Sequence, residues 1–105
     1  MESKIAVGLT TCDSNSEARE LVDCLIRKKL IACGQIEGPI KSTFWWDNEI
    51  QESNEWRVTV KFIPLKAKEI QGLVEDMNKY ETPQWVYWTV ESSAAFSDWV
   101  KNPLS

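Results

Sequence analysis

Two segments of alternating polarity, 35–46 and 50–62, flank a short polar turn in this chain. In each segment a bulky apolar side chain recurs at every second position, which is typical of a β-strand with one buried face. These side chains are Ile36, Ile40, Phe44 and Trp46 in the first segment and Trp56, Val58, Val60 and Phe62 in the second. The two segments therefore predict an antiparallel β-hairpin with unusually long arms.

The length of the turn sets the register of this hairpin. A two-residue turn at Asp47-Asn48 places Ile40 opposite Glu55, and so mixes apolar and charged side chains on one face. A three-residue turn that also includes Glu49 places Ile40 opposite Trp56 instead. We therefore predict the three-residue turn, or else a two-residue turn whose register is corrected by a nearby β-bulge.

The adjacent tryptophans beside the turn cannot both enter one core, because neighbouring side chains of a strand point to opposite faces. With either turn, we expect Trp46 on the face of the apolar residues. Trp45 is expected on the other face, together with Lys61. One indole is thus predicted to lie outside the core of its own subunit.

Two helices are predicted on either side of the hairpin. Ser14 and Glu17 are spaced as in a capping box, and apolar residues at helical spacing follow them as far as a basic cluster that ends near Lys29. The second helix begins after Pro64, where a proline in the first turn is tolerated, and ends near Asn78.

Two further strands and a last helix complete the chain. Residues 4–11 and 85–90 have the composition of strands, and Ser92 or Ser93 can cap a short helix that carries Phe96, Trp99 and Val100. The order is then βαββαβ with an extra C-terminal helix. This order predicts an α+β, ferredoxin-like sandwich over residues 1–105 as a single domain.

The predicted hairpin is too long for the body that carries it. An arm of 12 residues spans about 40 Å, whereas a helix of 15 residues spans about 23 Å. The arms therefore extend beyond the helices, and expose an apolar tip formed by Phe44, Trp45, Trp46 and Ile50. Because soluble proteins cover such patches and such strand edges, we expect these four residues to form an interface between copies of the chain.

The charge and the composition exclude several classes of function. Lys and Arg number 12 against 16 Asp and Glu, so the net charge is −4 and neither nucleic acid nor an anionic membrane is an expected partner. No signal peptide and no transmembrane run is visible, which predicts a cytoplasmic protein. Three cysteines make a disulfide framework improbable, and the absence of histidine removes the commonest general base and metal ligand.

Several short motifs resemble the CutA family, the divalent-cation tolerance proteins, over nearly the full length of the chain. They are "LIAC" before the second strand, "STFWWDNEI" at the hairpin tip, "KYETP" after the second helix and "FSDWV" in the last helix. The resemblance implies a tight homotrimer of ferredoxin-like subunits whose hairpins extend the sheets of their neighbours. It also implies a non-enzymatic role in tolerance of divalent metals, copper above all, and a divalent metal ion is the only cofactor it suggests.

Some members of that family bind copper through a thiol, a histidine and a glutamate. The matching positions here are Thr10, Asn78 and Gln84, and none of these three side chains is an effective copper ligand. We therefore expect no metal site of that kind. Cys12, two residues beyond Thr10, is the one weak candidate for a displaced thiol ligand.

The alternative to a metal-linked role is a sensor of a small metabolite or anion, similar to the nitrogen-regulatory PII proteins. Thr10, Lys61, Tyr80 and Glu81 are the candidates for lining a polar cleft between subunits. An enzyme similar to acylphosphatases would carry a phosphate-binding loop with an arginine after the first strand. The segment "TTCDSNSE" contains no arginine, so we expect no such activity.

Overall fold

The computed structural model describes residues 4–104. The strands are β1 (Lys4–Cys12), β2 (Cys33–Trp46), β3 (Glu49–Phe62) and β4 (Val86–Glu91), and the helices are α1 (Asn15–Arg27), α2 (Ala67–Met77) and α3 (Ala94–Lys101). A short 3₁₀ turn, Pro64–Lys66, leads into α2. These bounds agree with the predicted elements to within about two residues; β2 starts two residues earlier than predicted, and the 3₁₀ turn takes the place of the first residues predicted for α2.

The four strands form one antiparallel sheet in the order β2-β3-β1-β4. Helices α1 and α2 cover one face, which we call the helix face. Its side chains, with those of the helices, form the main core: Ala6, Val58, Val60 and Phe62 from the strands, and Leu21, Leu25, Ile70 and Val74 from the helices. The predicted ferredoxin-like α+β fold is confirmed.

The first helix begins as the sequence predicts, but with only half of a capping box. The Ser14 hydroxyl accepts a hydrogen bond from the Glu17 amide at 3.1 Å. Among residues 4–104 the Glu17 carboxylate has no hydrogen-bond partner of good geometry, so the reciprocal bond of a capping box is not made. The helix ends at Arg27, and Lys29 then adopts a left-handed conformation with φ 62°.

The turn of the hairpin contains two residues, so the predicted three-residue turn is wrong. Asp47 and Asn48 both have positive φ, 54° and 63°, the geometry whose twist matches that of paired strands. Ile40 lies opposite Glu55. The second alternative, a two-residue turn with a nearby bulge, is the one that the structure adopts.

The bulge lies in β2 opposite Trp56, the residue of β3 at which pairing with β1 ends. Glu37 pairs with Arg57 but Ile40 pairs with Glu55, so Gly38 and Pro39 together stand opposite the single residue Trp56. At the bulge the backbone of Gly38 lies close to the side chain of Trp56. A Cβ on Gly38 would lie 2.5 Å from Cδ1 of Trp56, so the position suits glycine.

The bulge moves every later side chain of β2 to the other face of the sheet. Trp45 pairs with Ile50 and so lies on the helix face. Trp46 and Phe44 lie on the opposite face, which we call the open face, on the same side as Lys61. The predicted assignment of the two indoles is therefore reversed, because one extra residue inverts the alternation.

Beyond the bulge the hairpin continues as a two-stranded ribbon. Strand β1 ends opposite Trp56, so residues 40–46 and 49–55 pair only with each other. The molecule measures 48 × 24 × 23 Å, and this elongation confirms that the hairpin extends well past the helices. No helix among residues 4–104 is long and apolar enough to cross a membrane.

Candidate functional site

A groove of about 1010 Å³ lies along the open face, between the ribbon and the segment 79–84 that precedes β4. Ile40, Phe44 and Trp46 supply its apolar wall. Glu55, Arg57 and residues of the 79–84 segment supply its polar wall. The groove is within the size range of ligand pockets and has their mixture of apolar surface with a few polar groups.

Two ionisable groups are held inside this groove. Glu55 is buried although it lies on the projecting ribbon, and the Tyr80 hydroxyl is buried without a hydrogen-bond partner of good geometry among residues 4–104. Burial, and then the neighbouring Glu55 carboxylate, raise the pKa of the Tyr80 phenol. The tyrosine therefore stays protonated at all ordinary pH values, with its buried hydroxyl beside the Glu55 carboxylate.

Arg57 is already paired at the inner end of the groove. Its guanidinium donates to the Glu37 carboxylate at 3.0 Å, directly across the strands. Arg57 is less than half exposed, and its pair with Glu37 keeps the guanidinium next to the bulge. A free anion would have to compete with Glu37 for it.

The four residues predicted to line a cleft do not all share one site within the subunit. Tyr80 and Glu81 line the groove. Lys61 lies on the open face two residues beyond the groove residue Thr59, and its ammonium donates to the Gln35 side chain. Thr10 is buried on the helix face, so the sheet separates it from Lys61. Alternation along β1 places Thr10 on the same face as Ala6, and pairing with β3 shows that this is the helix face.

Asn78, at one of the three positions suggested for copper, has a structural role here. Its side-chain amide donates to the Thr11 carbonyl at 3.0 Å and accepts from the Tyr80 amide at 2.8 Å. Both ends of the side chain are therefore used to hold the Tyr80 turn against the end of β1. Gln84, at the other end of the 79–84 segment from Lys79, lines the groove.

Cys12 is poorly suited to bind a metal ion. The side chain is buried, and burial followed by the carboxylates of Glu17, Asp13 and Glu55 raises the pKa of the thiol from 9.0 to about 12. A thiolate, the form that binds metals, is thus strongly disfavoured. In the described part of the chain, no three Cys, Asp or Glu side chains are grouped as metal ligands would be.

Glu17, which the sequence pattern predicts only as part of a helix cap, also lies in this region. Its side chain is about nine-tenths buried, and its carboxylate lies 3.8 Å from the mostly exposed Lys79 ammonium. Burial and the nearby Asp13 raise the pKa of Glu17, while Lys79 opposes that shift. The only signal in the sequence was an acidic residue next to the apolar stripe of α1.

The four tip residues are exposed in the subunit. Trp45 is 71% exposed and Trp46 46%, and Phe44 and Ile50 are exposed as well. Since Trp45 and Ile50 lie on one face and Phe44 and Trp46 on the other, both sides of the ribbon present apolar surface. On the open face, Val86 and Trp88 of β4 are also nearly half exposed.

Comparison with known proteins identifies relatives over almost the whole chain. Residues 6–103 match the family model described as CutA1 divalent ion tolerance protein. The divalent-cation tolerance protein CutA of Archaeoglobus fulgidus is 36% identical over 91 residues, which cover 86% of this chain and 88% of the relative. The protein of the same name from Thermotoga maritima is 30% identical over 96 residues, 90% of this chain and 94% of the relative.

Solved structures agree with this match. The structure of the periplasmic divalent cation tolerance protein CutA from Archaeoglobus fulgidus has a TM-score of 0.85 and 34% identity, and covers 92% of this chain and 94% of its own. The divalent cation tolerance protein of Thermus thermophilus has a TM-score of 0.87 and 25% identity, with 93% and 95% covered. The chain therefore belongs to the CutA1 family of divalent ion tolerance proteins.

Proposed function

We propose that this protein acts in tolerance of divalent metal ions as a non-enzymatic homotrimer, assembled through the ribbon. The observation that carries the proposal is the apolar tip, which lies beyond the body of the subunit with Trp45 71% exposed. Among residues 4–104, neither long edge of the ribbon has a pairing strand, because β2 is an edge strand of the sheet and β1 ends opposite Trp56. Unpaired edges next to exposed aromatic rings favour pairing with another copy.

The energetic scale supports association. Phe44, Trp45 and Trp46 are together about half exposed. Covering their remaining surface contributes on the order of 6–10 kcal/mol per subunit at about 25 cal/mol per Å², before the costs of association. Val86 and Trp88 extend the apolar surface along the open face, so a neighbouring copy can cover more than the tip alone.

Sedimentation equilibrium at micromolar concentration tests the assembly. We expect a mass three times that of the 12.1 kDa chain. The double variant Trp45→Ser, Ile50→Ser should shift the population towards the single chain. Leu65→Ser is the matched control, because Leu65 is 93% exposed but lies outside the ribbon, and it should remain trimeric. A wild-type mass equal to one chain would refute the proposal.

The metal-linked role is proposed to operate without copper bound at Thr10, Asn78 and Gln84. Asn78 uses both ends of its side chain in backbone hydrogen bonds, and neutral oxygen and amide groups are weak ligands for copper. Calorimetric titration of the purified oligomer with copper, zinc and cobalt should show no site tighter than about millimolar at these positions. Micromolar copper binding that is lost in Thr10→Ala or Gln84→Ala would contradict this.

A second candidate function is recognition of a small metabolite or anion in the groove. It is favoured by the buried, always protonated Tyr80 beside Glu55. Ligand-dependent rises in melting temperature, lost in Tyr80→Phe, would support it over a purely metal-linked role.

The proposed location is the cytoplasm, supported by three free cysteines, whereas the Archaeoglobus protein is described as periplasmic. Fractionation of cells that express the protein distinguishes the two locations.

A further inference from the structure

A second cavity lies at the opposite end of the subunit from the ribbon. It has a volume of about 350 Å³ and lies between the end of α1, the end of β3 and the segment from α3 to Leu104. Its floor is rigid, since Leu30, Ile31, Phe62 and Val100 are all buried. We call it the α1–α3 cavity.

The mouth of the α1–α3 cavity is apolar and exposed to solvent. Ile26, Trp99 and Leu104 line it and are exposed. The Trp99 ring stacks at a tilt on Phe96, with 5.6 Å between the ring centroids, so the indole is held in place by its neighbour. A preformed apolar cavity with an ordered aromatic ring at its mouth is typical of small-molecule sites.

Every ionisable side chain that lines this cavity is a lysine: Lys29, Lys66 and Lys101. This is notable in a chain with 16 acidic and 12 basic residues. The Lys66 ammonium donates to the Lys29 carbonyl, which fixes it beside the end of α1. Among residues 4–104, neither Lys29 nor Lys66 has a carboxylate within ion-pair distance.

The C-termini of two helices neutralise part of the positive charge of these lysines, but not all of it. Helices α1 and α3 both end at the cavity, and each C-terminus carries about half a negative charge. Lys29, Lys66 and the neighbouring Lys28 outweigh these two partial charges. More positive than negative charge therefore lies next to the apolar surface of the cavity.

We propose that the α1–α3 cavity binds an amphipathic organic anion, whose apolar part lies on Trp99 and Ile63 and whose acidic group lies between Lys29 and Lys66. A carboxylate or sulfonate there would complete the hydrogen bonding of two ammonium groups. The apolar part would cover the exposed mouth and displace its water. This site is separate from the groove and from the ribbon, and it does not depend on the proposed trimer.

Fluorescence titration with anilinonaphthalene sulfonate tests the site on the purified oligomer at low salt. N-phenylnaphthylamine is the companion probe, because it has the same rings without the sulfonate. We expect saturable binding of the sulfonate, weakened about tenfold or more in the double variant Lys29→Gln, Lys66→Gln. Binding of the neutral probe should change less than about twofold.

Matched variants separate this cavity from other apolar surface. Lys41→Gln with Lys68→Gln removes the same charge away from the cavity, and should bind the sulfonate as the wild type does. Trp99→Leu should weaken both probes, and circular dichroism verifies that each variant is folded. The proposal is overturned by three outcomes: no saturable binding, an equal effect of the two lysine pairs, or binding that is lost in Trp46→Ser but kept in Trp99→Leu.

Discussion

The Glu17 carboxylate lies 3.8 Å from the Lys79 ammonium, although Glu17 is about nine-tenths buried and Lys79 is mostly in water. The two groups connect the first turn of α1 to the segment that follows α2. Since Lys79 is solvated, its attraction offsets only part of the cost of burying the Glu17 charge. The effect of burial is larger than that of Lys79, so the pKa of Glu17 is raised and not lowered.

This balance predicts how stability depends on pH. Because the pKa of Glu17 is raised above its ordinary value of 4.5, the folded chain binds this proton more tightly than the unfolded chain does. The free energy of unfolding therefore falls as pH rises through the folded-state pKa. We expect the Glu17→Gln variant to lose less stability than the wild type as the pH rises above 4.5.

Urea unfolding at fixed protein concentration measures this difference, since oligomers gain apparent stability with concentration. Glu20→Gln is the control, because Glu20 is exposed on the same helix. Its pH profile should match that of the wild type. A Glu17→Gln profile steeper than that of the wild type would show that the Lys79 pair outweighs the burial of Glu17.

Glycine 38 is required at the bulge. A Cβ at this position would lie 2.5 Å from the Trp56 ring, so Gly38→Ala must displace either the indole or the backbone. We expect a loss of about 1–3 kcal/mol in the free energy of unfolding. Gly72→Ala is the control: nothing lies within 4 Å of its Cβ position in α2, and it should gain about 0.5–1 kcal/mol. Similar values for the two variants would mean that the strands slide to relieve the contact.

The two hydrogen bonds of Asn78 predict a graded series of variants. Asn78→Ala removes the donor to Thr11 and the acceptor for Tyr80, and should cost about 1–3 kcal/mol. Asn78→Asp keeps the acceptor but puts a carboxylate oxygen next to the Thr11 carbonyl oxygen, so at neutral pH its cost should be at least as large. Thermal unfolding monitored by circular dichroism measures both. If Asn78→Ala is as stable as the wild type, Asn78 does not hold the turn.

Cys12 should be chemically inert in the folded protein. With its pKa raised to about 12, its thiolate population near neutral pH is roughly a thousandfold below that of an ordinary thiol, and burial also blocks access. Alkylation by iodoacetamide, followed by mass spectrometry of peptides, should label Cys12 only after unfolding. Labelling of Cys12 in the native protein at the rate seen in urea would contradict the burial of this residue.

Much of the fold follows from local patterns in the sequence. The strand at Lys4–Cys12 alternates large and small residues, and the Ser14 cap depends on atoms only three residues apart. Both signals lie within one element, so no knowledge of its neighbours is needed to interpret them. The projecting hairpin was also predictable, because strand and helix lengths follow directly from residue counts.

The site was less predictable, because its residues come together only across elements. The candidates Tyr80 and Glu81 do line the groove, whereas Thr10 lies on the other side of the sheet. Glu55 is buried on the projecting ribbon, and nothing in its neighbourhood along the chain indicates that it lies in a groove with the 79–84 segment. Burial of a polar residue depends on what packs against it, which is a tertiary property.

Local patterns along the chain are enough to predict a ferredoxin-like α+β protein whose hairpin extends beyond its body and carries two exposed indoles. Which indole lies on which face depends on how the two strands pair. A single extra residue, at Gly38 or Pro39 opposite Trp56, inverts the alternation of all of β2 beyond it. The alternation of one strand records its own period but not its spacing against a partner, and the close approach of backbone and indole at the bulge sets that spacing.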